Sequence, residues 1–280
     1  MFSTITTYIR QRFNPALYTM LAAFLMLYAN GVEWTLRGAV VSFAFALATL
    51  FWFRMFDDVA SGAVDQGKPD RIYTEADARR RLSMLLVPFA VILLVATAVV
   101  DTQAAAILGA YIIVQIIAYR MLFEREVWRR VLPLLKYPVL ATTLYMLVHD
   151  AGMLTLSSAL SFAALLPIFI AFEIVDDESF VVKWWLLPFV LVVAHALMLT
   201  SVSPPELINY VMFAASGASS PVAIVLLVFV ATCAILALGV LDGIRAKAHP
   251  TTDRRFVFAQ YALLLYFIGL RLLVFLDHAV

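Results

Sequence analysis

Residues 36–71 read LRGAVVSFAFALATLFWFRMFDDVASGAVDQGKPDR, a long apolar run that ends in a cluster of acidic and basic side chains. As a helix, the apolar run at 36–56 is long enough to cross the hydrocarbon core of a bilayer, which takes about 20 residues. In lipid, a helix satisfies its own backbone hydrogen bonds without closing into a barrel. The stretch therefore predicts a membrane helix with a polar site at one end.

The composition of the whole chain agrees with this prediction. The 280 residues are 64% hydrophobic and 14% charged, with a mean hydropathy of +0.95. A soluble domain is about 45–50% apolar and about 25% charged, so these values exclude an ordinary water-soluble fold. The net charge of +1 gives no indication of a nucleic-acid partner, and the single cysteine, Cys233, excludes an intrachain disulfide.

Working outward from this run, we predict an all-α fold, a polytopic transmembrane helical bundle with nine spans. We find no repeat or linker that divides the chain, so residues 1–280 are expected to form a single integral membrane domain. The predicted spans lie near residues 16–30, 36–56, 82–100, 104–122, 131–148, 154–173, 184–202, 220–241 and 256–276.

The basic residues sort by side when the loops between these spans are numbered. Eighteen of the 20 Lys and Arg residues fall in the N-terminal tail, in the loops after even-numbered spans, or at span ends on that same side. The opposite side has Arg37, and Arg271 lies within the last span. Because basic residues favour the cytoplasmic side, the pattern predicts a cytoplasmic N-terminus and an external C-terminus.

Two acidic clusters follow the second and sixth predicted spans, both at the cytoplasmic side. On continuing helices, three- and four-residue steps place the members of each cluster on one helix face. Ionisable groups beside hydrocarbon are costly and are candidates for function. The clusters consist of Asp57, Asp58 and Asp65 after the second span, and of Glu173, Asp176 and Asp177 after the sixth.

Converging carboxylates of this kind suit Mg²⁺, which takes oxygen ligands and shares them with a phosphate. Nearby Arg and Lys side chains could bind the remaining phosphate oxygens. Such a site suits the loss of diphosphate from an allylic lipid, since metal ions and guanidinium groups stabilise the leaving charge. From spacing alone, simple ion pairing of these acids with neighbouring Lys and Arg residues is an equally open interpretation.

The sequence resembles the UbiA superfamily of intramembrane aromatic prenyltransferases, which has nine helices and an acidic NDxxDxxxD motif after the second. Asp57-Asp58-x-x-Ser61-x-x-x-Asp65 occupies that frame, with Asp57 in place of Asn and Ser61 in place of the middle Asp. Arg54 precedes the motif and Pro69-Asp70-Arg71 follows it, as in the family.

Two further motifs resemble the family with departures. Arg129 and Arg130 match a basic pair after the fourth span, although Arg125 stands where the family has Tyr. Glu173, Asp176 and Asp177 take the place of the second acidic motif, with a tighter spacing than its DxxxD pattern.

The resemblance implies a Mg²⁺-dependent prenyltransferase that moves an isoprenoid chain from its diphosphate to an acceptor within membrane lipid. Asp58 and Asp65 would bind one metal ion with help from Asp57, and Asp176 and Asp177 with Glu173 would bind a second. The diphosphate would be held by Arg54, Lys68, Arg71, Arg129 and Arg130. The alternatives are a terpene cyclase of the same fold and a lipid-binding or trafficking protein without turnover.

His195 lies in the middle of the seventh predicted span. We expect a neutral histidine that is hydrogen-bonded to a neighbouring helix, with a role as proton acceptor or acceptor contact as the alternative.

The sorting of basic residues generates a test of topology. Tags at the two ends of the chain should differ in their accessibility from outside intact cells, because nine spans place the ends on opposite sides. The measurement is protease or antibody access to each tag before and after the cells are permeabilised. If both ends lie on one side, the nine-span count is wrong.

Overall fold

The computed structural model describes residues 2–30, 35–62, 71–122, 131–149, 154–176, 186–199 and 261–269, together with positions 230, 234 and 271. Every regular element in these ranges is a helix, which confirms the all-α prediction for the described part of the chain. The chain divides into two compact units, Met1–Met153 and Leu154–Val280. The single domain over 1–280 stays a prediction.

The described part of the first unit contains six α-helices, with α3 packed against α2, α4 and α6, and with α5 packed on α4 and α6. Trp52 on α3 donates its indole N–H to the Leu86 carbonyl oxygen of α4 at 2.8 Å. The helices are α1 Phe2–Arg12, α2 Pro15–Asn30, α3 Leu36–Ser61, α4 Ala76–Val100, α5 Thr102–Leu122 and α6 Lys136–Met146, with short 3₁₀ helices at Ile72–Thr74 and Leu132–Leu135.

Local sequence explains where α2 and α3 begin. The Asn14 side chain accepts a hydrogen bond from the Ala16 amide at 3.1 Å, and Pro15 occupies the first helical position, where no amide hydrogen is needed. Thr35 caps α3 by accepting from the Gly38 amide at 3.1 Å. Both caps satisfy amide groups that a helix start leaves without a partner.

Three helices of the first unit are long and apolar enough to cross a membrane: Leu36–Ser61, Ala76–Val100 and Thr102–Met121. α4 presents large aliphatic side chains outward, with Val87 69% and Val99 82% exposed. A continuous face of this kind is stable against hydrocarbon and unfavourable against water. These helices cover the second, third and fourth predicted spans.

The other predicted spans have shorter helical counterparts where the structure describes them. Pro15–Asn30, Ser158–Ile174 and Leu187–Met198 are apolar helices below the length of a full crossing. The eighth predicted span, 220–241, lies outside the described residues apart from Val230 and Ala234.

The second unit contains α7 Leu156–Ala163, α8 Leu165–Asp176, α9 Leu187–Leu199 and α10 at 261–269. α9 packs against α7 and α8. Thr155 caps α7 by accepting from the Ser158 amide at 3.2 Å.

His195 links α9 to α10 through Tyr266. Its Nδ1 lies 2.6 Å from the Leu191 carbonyl oxygen, and its Nε2 lies 2.6 Å from the Tyr266 hydroxyl. A carbonyl can only accept, so Nδ1 carries the proton and donates it, which leaves Nε2 to accept from Tyr266. The expectation of a histidine hydrogen-bonded to a neighbouring helix is confirmed.

The close approach at the end of α3 generates a test of packing. A Cβ at Gly62 would lie 2.9 Å from the Tyr73 carbonyl oxygen and 2.8 Å from Arg79 Cδ. Gly62→Ala should therefore destabilise the protein by about 1–3 kcal/mol, the usual range for overpacking. The measurement is thermal unfolding of the purified protein in detergent.

Gly109→Ala is the matched control, because a Cβ there would meet Leu94 Cδ2 at an ordinary 3.5 Å. Alanine favours the helix by up to about 1 kcal/mol over glycine, so this variant should unfold at the wild-type temperature or above it. Equal unfolding temperatures for the two variants would contradict the tight approach at Gly62.

Candidate functional site: the paired aspartates at the end of α3

Asp57 and Asp58 lie side by side near the C-terminal end of α3 but turn to different neighbours. Consecutive residues of an α-helix are about 100° apart around its axis. Asp58 consequently meets α1, whereas Asp57 meets α5 and α6. The two carboxylates belong to two separate polar networks.

Asp58 is 3% exposed and its carboxylate is enclosed by donors from α1. Arg12 binds it in a two-point arrangement, with Nη2 2.9 Å from Oδ1 and Nε 3.0 Å from Oδ2. The Tyr8 hydroxyl donates to Oδ2 at 2.9 Å, and Arg54 Nε lies 3.3 Å from the same oxygen. One carboxylate therefore faces two guanidinium groups, which compensate its negative charge.

Tyr8 keeps its proton in this setting. Burial, and after it the neighbouring Asp58 carboxylate, raise the pKa of the Tyr8 phenol well above its ordinary value. The phenol thus keeps its proton and donates it to Asp58.

Residues 71–74, which follow α3 in the chain, also contact this network. The Arg12 guanidinium lies 5.2 Å from the centre of the Tyr73 ring, and Arg71 Nη1 donates to the Tyr73 hydroxyl at 2.8 Å. Gln11 accepts from the Ile72 amide at 2.9 Å. Two arginines, Arg12 of α1 and Arg71, therefore contact Tyr73, one at its ring and the other at its hydroxyl.

Asp57 has a different set of partners. Lys136 Nζ donates to its Oδ2 at 2.8 Å, and the Tyr119 hydroxyl donates to its Oδ1 at 2.6 Å. Gln115 Nε2 reaches the same Oδ1 at 3.4 Å. Lys136 is 7% exposed, so its charge and that of Asp57 form a largely buried ion pair.

A cavity of about 330 Å³ lies beside this second network. Its volume falls in the range of small-molecule sites. The lining comes from α3, α4 and α5 and is apolar apart from one phenol and one guanidinium: Phe56, Val59, Ala60, Leu86, Ile116, Tyr119 and Arg120.

The structure brings together only some of the residues predicted for the site. Asp57, Asp58 and Arg54 lie in the two networks, and Arg71 joins them through Tyr73. In the second unit, Glu173 is exposed on α8, and Asp176 ends that helix with its side chain outside the described part. Asp65, Lys68, Arg129, Arg130 and Asp177 lie outside the described residues, so the meeting of the two acidic clusters stays a prediction.

Five described partners of the aspartates were absent from the predicted site: Tyr8, Arg12, Gln115, Tyr119 and Lys136. Lys136 had a usable signal, because it interrupts the apolar run at 131–148 and an ionisable group in a membrane helix is a candidate by default. Tyr8 and Arg12 are four residues apart on one helix face, but nothing in their spacing connects them to residue 58.

The described carboxylates do not form a metal site by themselves. Asp57 and Asp58 are oxygen donors of the kind that Mg²⁺ prefers, but each is held by protein donors. Within the described ranges, no three His, Cys, Asp or Glu side chains are grouped so that they could hold a metal ion.

The Asp57–Lys136 pair generates a stability test. Lys136→Met should destabilise the protein by about 3 kcal/mol, because it leaves a buried carboxylate without its cation. Adding Asp57→Asn to that variant should restore most of the loss, since the remaining partners are then neutral. Thermal unfolding in detergent measures both effects.

Arg120→Met is the matched control, because it removes an exposed cation from the end of α5. It should unfold close to the wild-type temperature. A Lys136→Met variant as stable as this control would show that the ion pair contributes nothing.

Comparisons with known proteins identify no relative of this chain. No family model matches the chain, and neither a curated protein nor a solved structure is significantly similar to it. The likeness to the UbiA superfamily therefore rests on the acidic and basic motifs of the sequence, at 54–71, 129–130 and 173–177.

Proposed function

We propose that this chain is an intramembrane prenyltransferase of the UbiA type, which binds an isoprenoid diphosphate at the C-terminal end of α3 and transfers the prenyl chain to an acceptor. The observation that carries the proposal is a group of cations at the end of an apolar helix. Arg12, Arg54, Arg71 and Lys136 are linked by direct contacts to a site with two carboxylates, Asp57 and Asp58.

A group of fixed cations suits a diphosphate leaving group. As the bond from carbon to the diphosphate oxygen breaks, negative charge gathers on that oxygen, and fixed cations stabilise it. Guanidinium groups bind phosphate oxygens in a two-point fashion, and the side chains of Arg54 and Arg12 keep 31% and 15% of their surface exposed.

The prenyl chain requires an apolar place beside the charged head. The cavity between α3, α4 and α5 borders Tyr119, whose hydroxyl contacts Asp57, so an apolar volume adjoins the charged site. An uncharged isoprenoid tail fits such a lining by the same physics that buries the protein's own aliphatic side chains. The volume of the cavity does not determine the length of the prenyl chain.

The proposal includes Mg²⁺ because the resemblance to the UbiA superfamily implies this ion. When bound, it would neutralise part of the diphosphate charge and would require Asp57 or Asp58 to give up a present partner. Lys136, Arg12 and Arg54 would then turn from a carboxylate to a phosphate, an exchange of partners that keeps every charge compensated. Asp65, Asp176, Asp177 and Glu173 remain the proposed additional ligands.

The nine-span arrangement is part of the same proposal, with the N-terminus and the site loops in the cytoplasm and the C-terminus outside. The three full-length apolar helices and the shorter helices at the other described spans support it. It places the aspartate pair at the cytoplasmic end of the second span, where a soluble diphosphate can reach it.

A binding or trafficking protein without turnover is the second candidate, and one observation favours it. Both carboxylates are already satisfied by protein donors, so the site can be stable as a purely structural set of ion pairs. Such a protein could bind a lipid anion through its arginines and leave it unchanged.

The proposal is tested by incubating the purified protein with geranyl, farnesyl or geranylgeranyl diphosphate and measuring diphosphate release. With a membrane extract as the source of acceptor, we expect release together with a prenylated product. Release without any acceptor would favour the cyclase. Binding without release would favour the protein without turnover.

The Mg²⁺ dependence of release tests the altered motif. The family has a neutral Asn where this chain has the charged Asp57, and a charged Asp where this chain has the neutral Ser61. The two differences cancel, so the first acidic cluster keeps the formal charge of the family's motif. Asp57→Asn should therefore reduce release severely, and adding Ser61→Asp should recover part of it. If Asp57→Asn releases diphosphate with an unchanged Mg²⁺ midpoint, the two differences do not compensate.

A further inference from the structure

A second cavity lies at the other end of α3, away from the aspartates. Its volume is about 570 Å³, within the range of small-molecule sites. Arg37, in the first turn of α3, lines this cavity and is roughly 30 Å from Asp57 along the helix axis, at 1.5 Å per residue. The cavity is therefore separate from the site proposed for the diphosphate.

The walls of this cavity combine a polar part with an aliphatic part. The polar part includes Arg37 and His149, which come from the start of α3 and from the residues after α6. The aliphatic part comes from α3, from the last residue of α4 and from the residues after α6: Val41, Val100, Leu147 and Val148. A ligand that fills both parts needs an anionic group and a hydrocarbon chain.

Arg37 brings a charge that no described carboxylate neutralises. Its side chain is exposed, and it forms no ion pair with an Asp or Glu in the described part of the chain. In the predicted topology it is also the one loop-side cation on its face of the membrane, since 18 of the 20 Lys and Arg residues sort to the other face. Orientation in the membrane therefore does not account for this arginine.

His149 adds a hydrogen-bond donor whose position is held by a neighbouring ring. Its imidazole stacks on Tyr145, with ring centres 4.5 Å apart and an angle of 29° between the planes. A neutral imidazole has one ring N–H, and none of the described residues accepts it. Because the two side chains line one cavity, a single phosphate group can accept from both Arg37 and His149.

The position of the cavity indicates where the anion comes from. α3 and α4 are two of the three helices that are long and apolar enough to cross a membrane, and the cavity lies where α3 begins and α4 ends. The ends of such helices lie at the level of the lipid headgroups. Val41 and Val100 are 48% and 58% exposed, so the aliphatic wall belongs to the surface that faces lipid.

We infer that this cavity binds an anionic phospholipid, with its phosphate at Arg37 and His149 and an acyl chain against Val41 and Val100. A phosphodiester carries one negative charge, which one guanidinium group compensates while it donates two hydrogen bonds. The acyl chain is stabilised on the aliphatic wall by the removal of apolar surface from water. A free phosphate ion offers the same charged group but leaves that wall empty, so the lipid binds more tightly.

Thermal unfolding of the full chain in a neutral detergent tests the site with three probes. They are palmitoyl-oleoyl phosphatidylglycerol, a diacylglycerol with the same two chains, and inorganic phosphate. A ligand that binds the folded state raises the unfolding temperature. Phosphatidylglycerol should raise it most, because the diacylglycerol lacks the phosphate and inorganic phosphate lacks the chains.

Two variants locate the phosphate. Arg37→Gln should weaken phosphatidylglycerol about tenfold, as expected for a lost charged hydrogen bond. His149→Phe keeps a ring against Tyr145 but removes the N–H, and it should weaken the lipid about fivefold. Without lipid, Arg37→Gln should unfold at the wild-type temperature, because an exposed cation contributes little to stability.

Arg81→Gln is the matched control, because it removes an exposed cation near the opposite end of α4 from Val100. It should keep the full effect of phosphatidylglycerol. An equal loss in Arg37→Gln and Arg81→Gln would show attraction by surface charge in general and would overturn the inference.

Three other outcomes also overturn it. The first is an equal shift from phosphatidylglycerol and the diacylglycerol, which would exclude a role for the phosphate. The second is a shift from inorganic phosphate as large as that from the lipid, which would assign the cavity to a soluble anion. The third is a lower unfolding temperature of Arg37→Gln without lipid, which would mean that the guanidinium group already has a partner within the protein.

Discussion

Asp58 is 3% exposed at the end of an apolar helix, and a carboxylate in such a place is stable only with partners that supply positive charge and hydrogen bonds. Arg12 and Tyr8 supply both from α1, and Arg54 adds charge from the preceding turn of α3. The need to compensate one buried charge thus fixes the N-terminal helix against the end of α3. Asp57 fixes α5 and α6 in the same way, through Tyr119 and Lys136.

The helical class and the polar end of α3 could be predicted from the sequence because both are local properties. The apolar run at 36–56 determines a membrane helix by its length and composition, and Asp57 and Asp58 follow it directly. Apart from Arg54, the partners of these residues could not be predicted, since they come from positions 46 to 79 residues away. Pairing at that distance is decided by helix packing, which the apolar pattern of each helix leaves undetermined.

Adjacent acids show a further limit of reasoning from spacing. We predicted that residues 57, 58, 61 and 65 share one helix face. The prediction is wrong for Asp58, which is turned about 100° from Asp57 and meets a different helix. A motif written as two consecutive aspartates can therefore supply two networks.

The long separation between the aspartates and their partners has a consequence for how the protein is made. Chains are synthesised from the N-terminus, so Tyr8 and Arg12 emerge before the carboxylate that they bind. Asp57 then enters the membrane region with α3 while Lys136, 79 residues later, has yet to be synthesised. Until α6 arrives, that carboxylate lacks its cation, and an uncompensated charge beside hydrocarbon is costly. The buried ion pair that joins α3 to α6 can therefore form only after Lys136 has been synthesised.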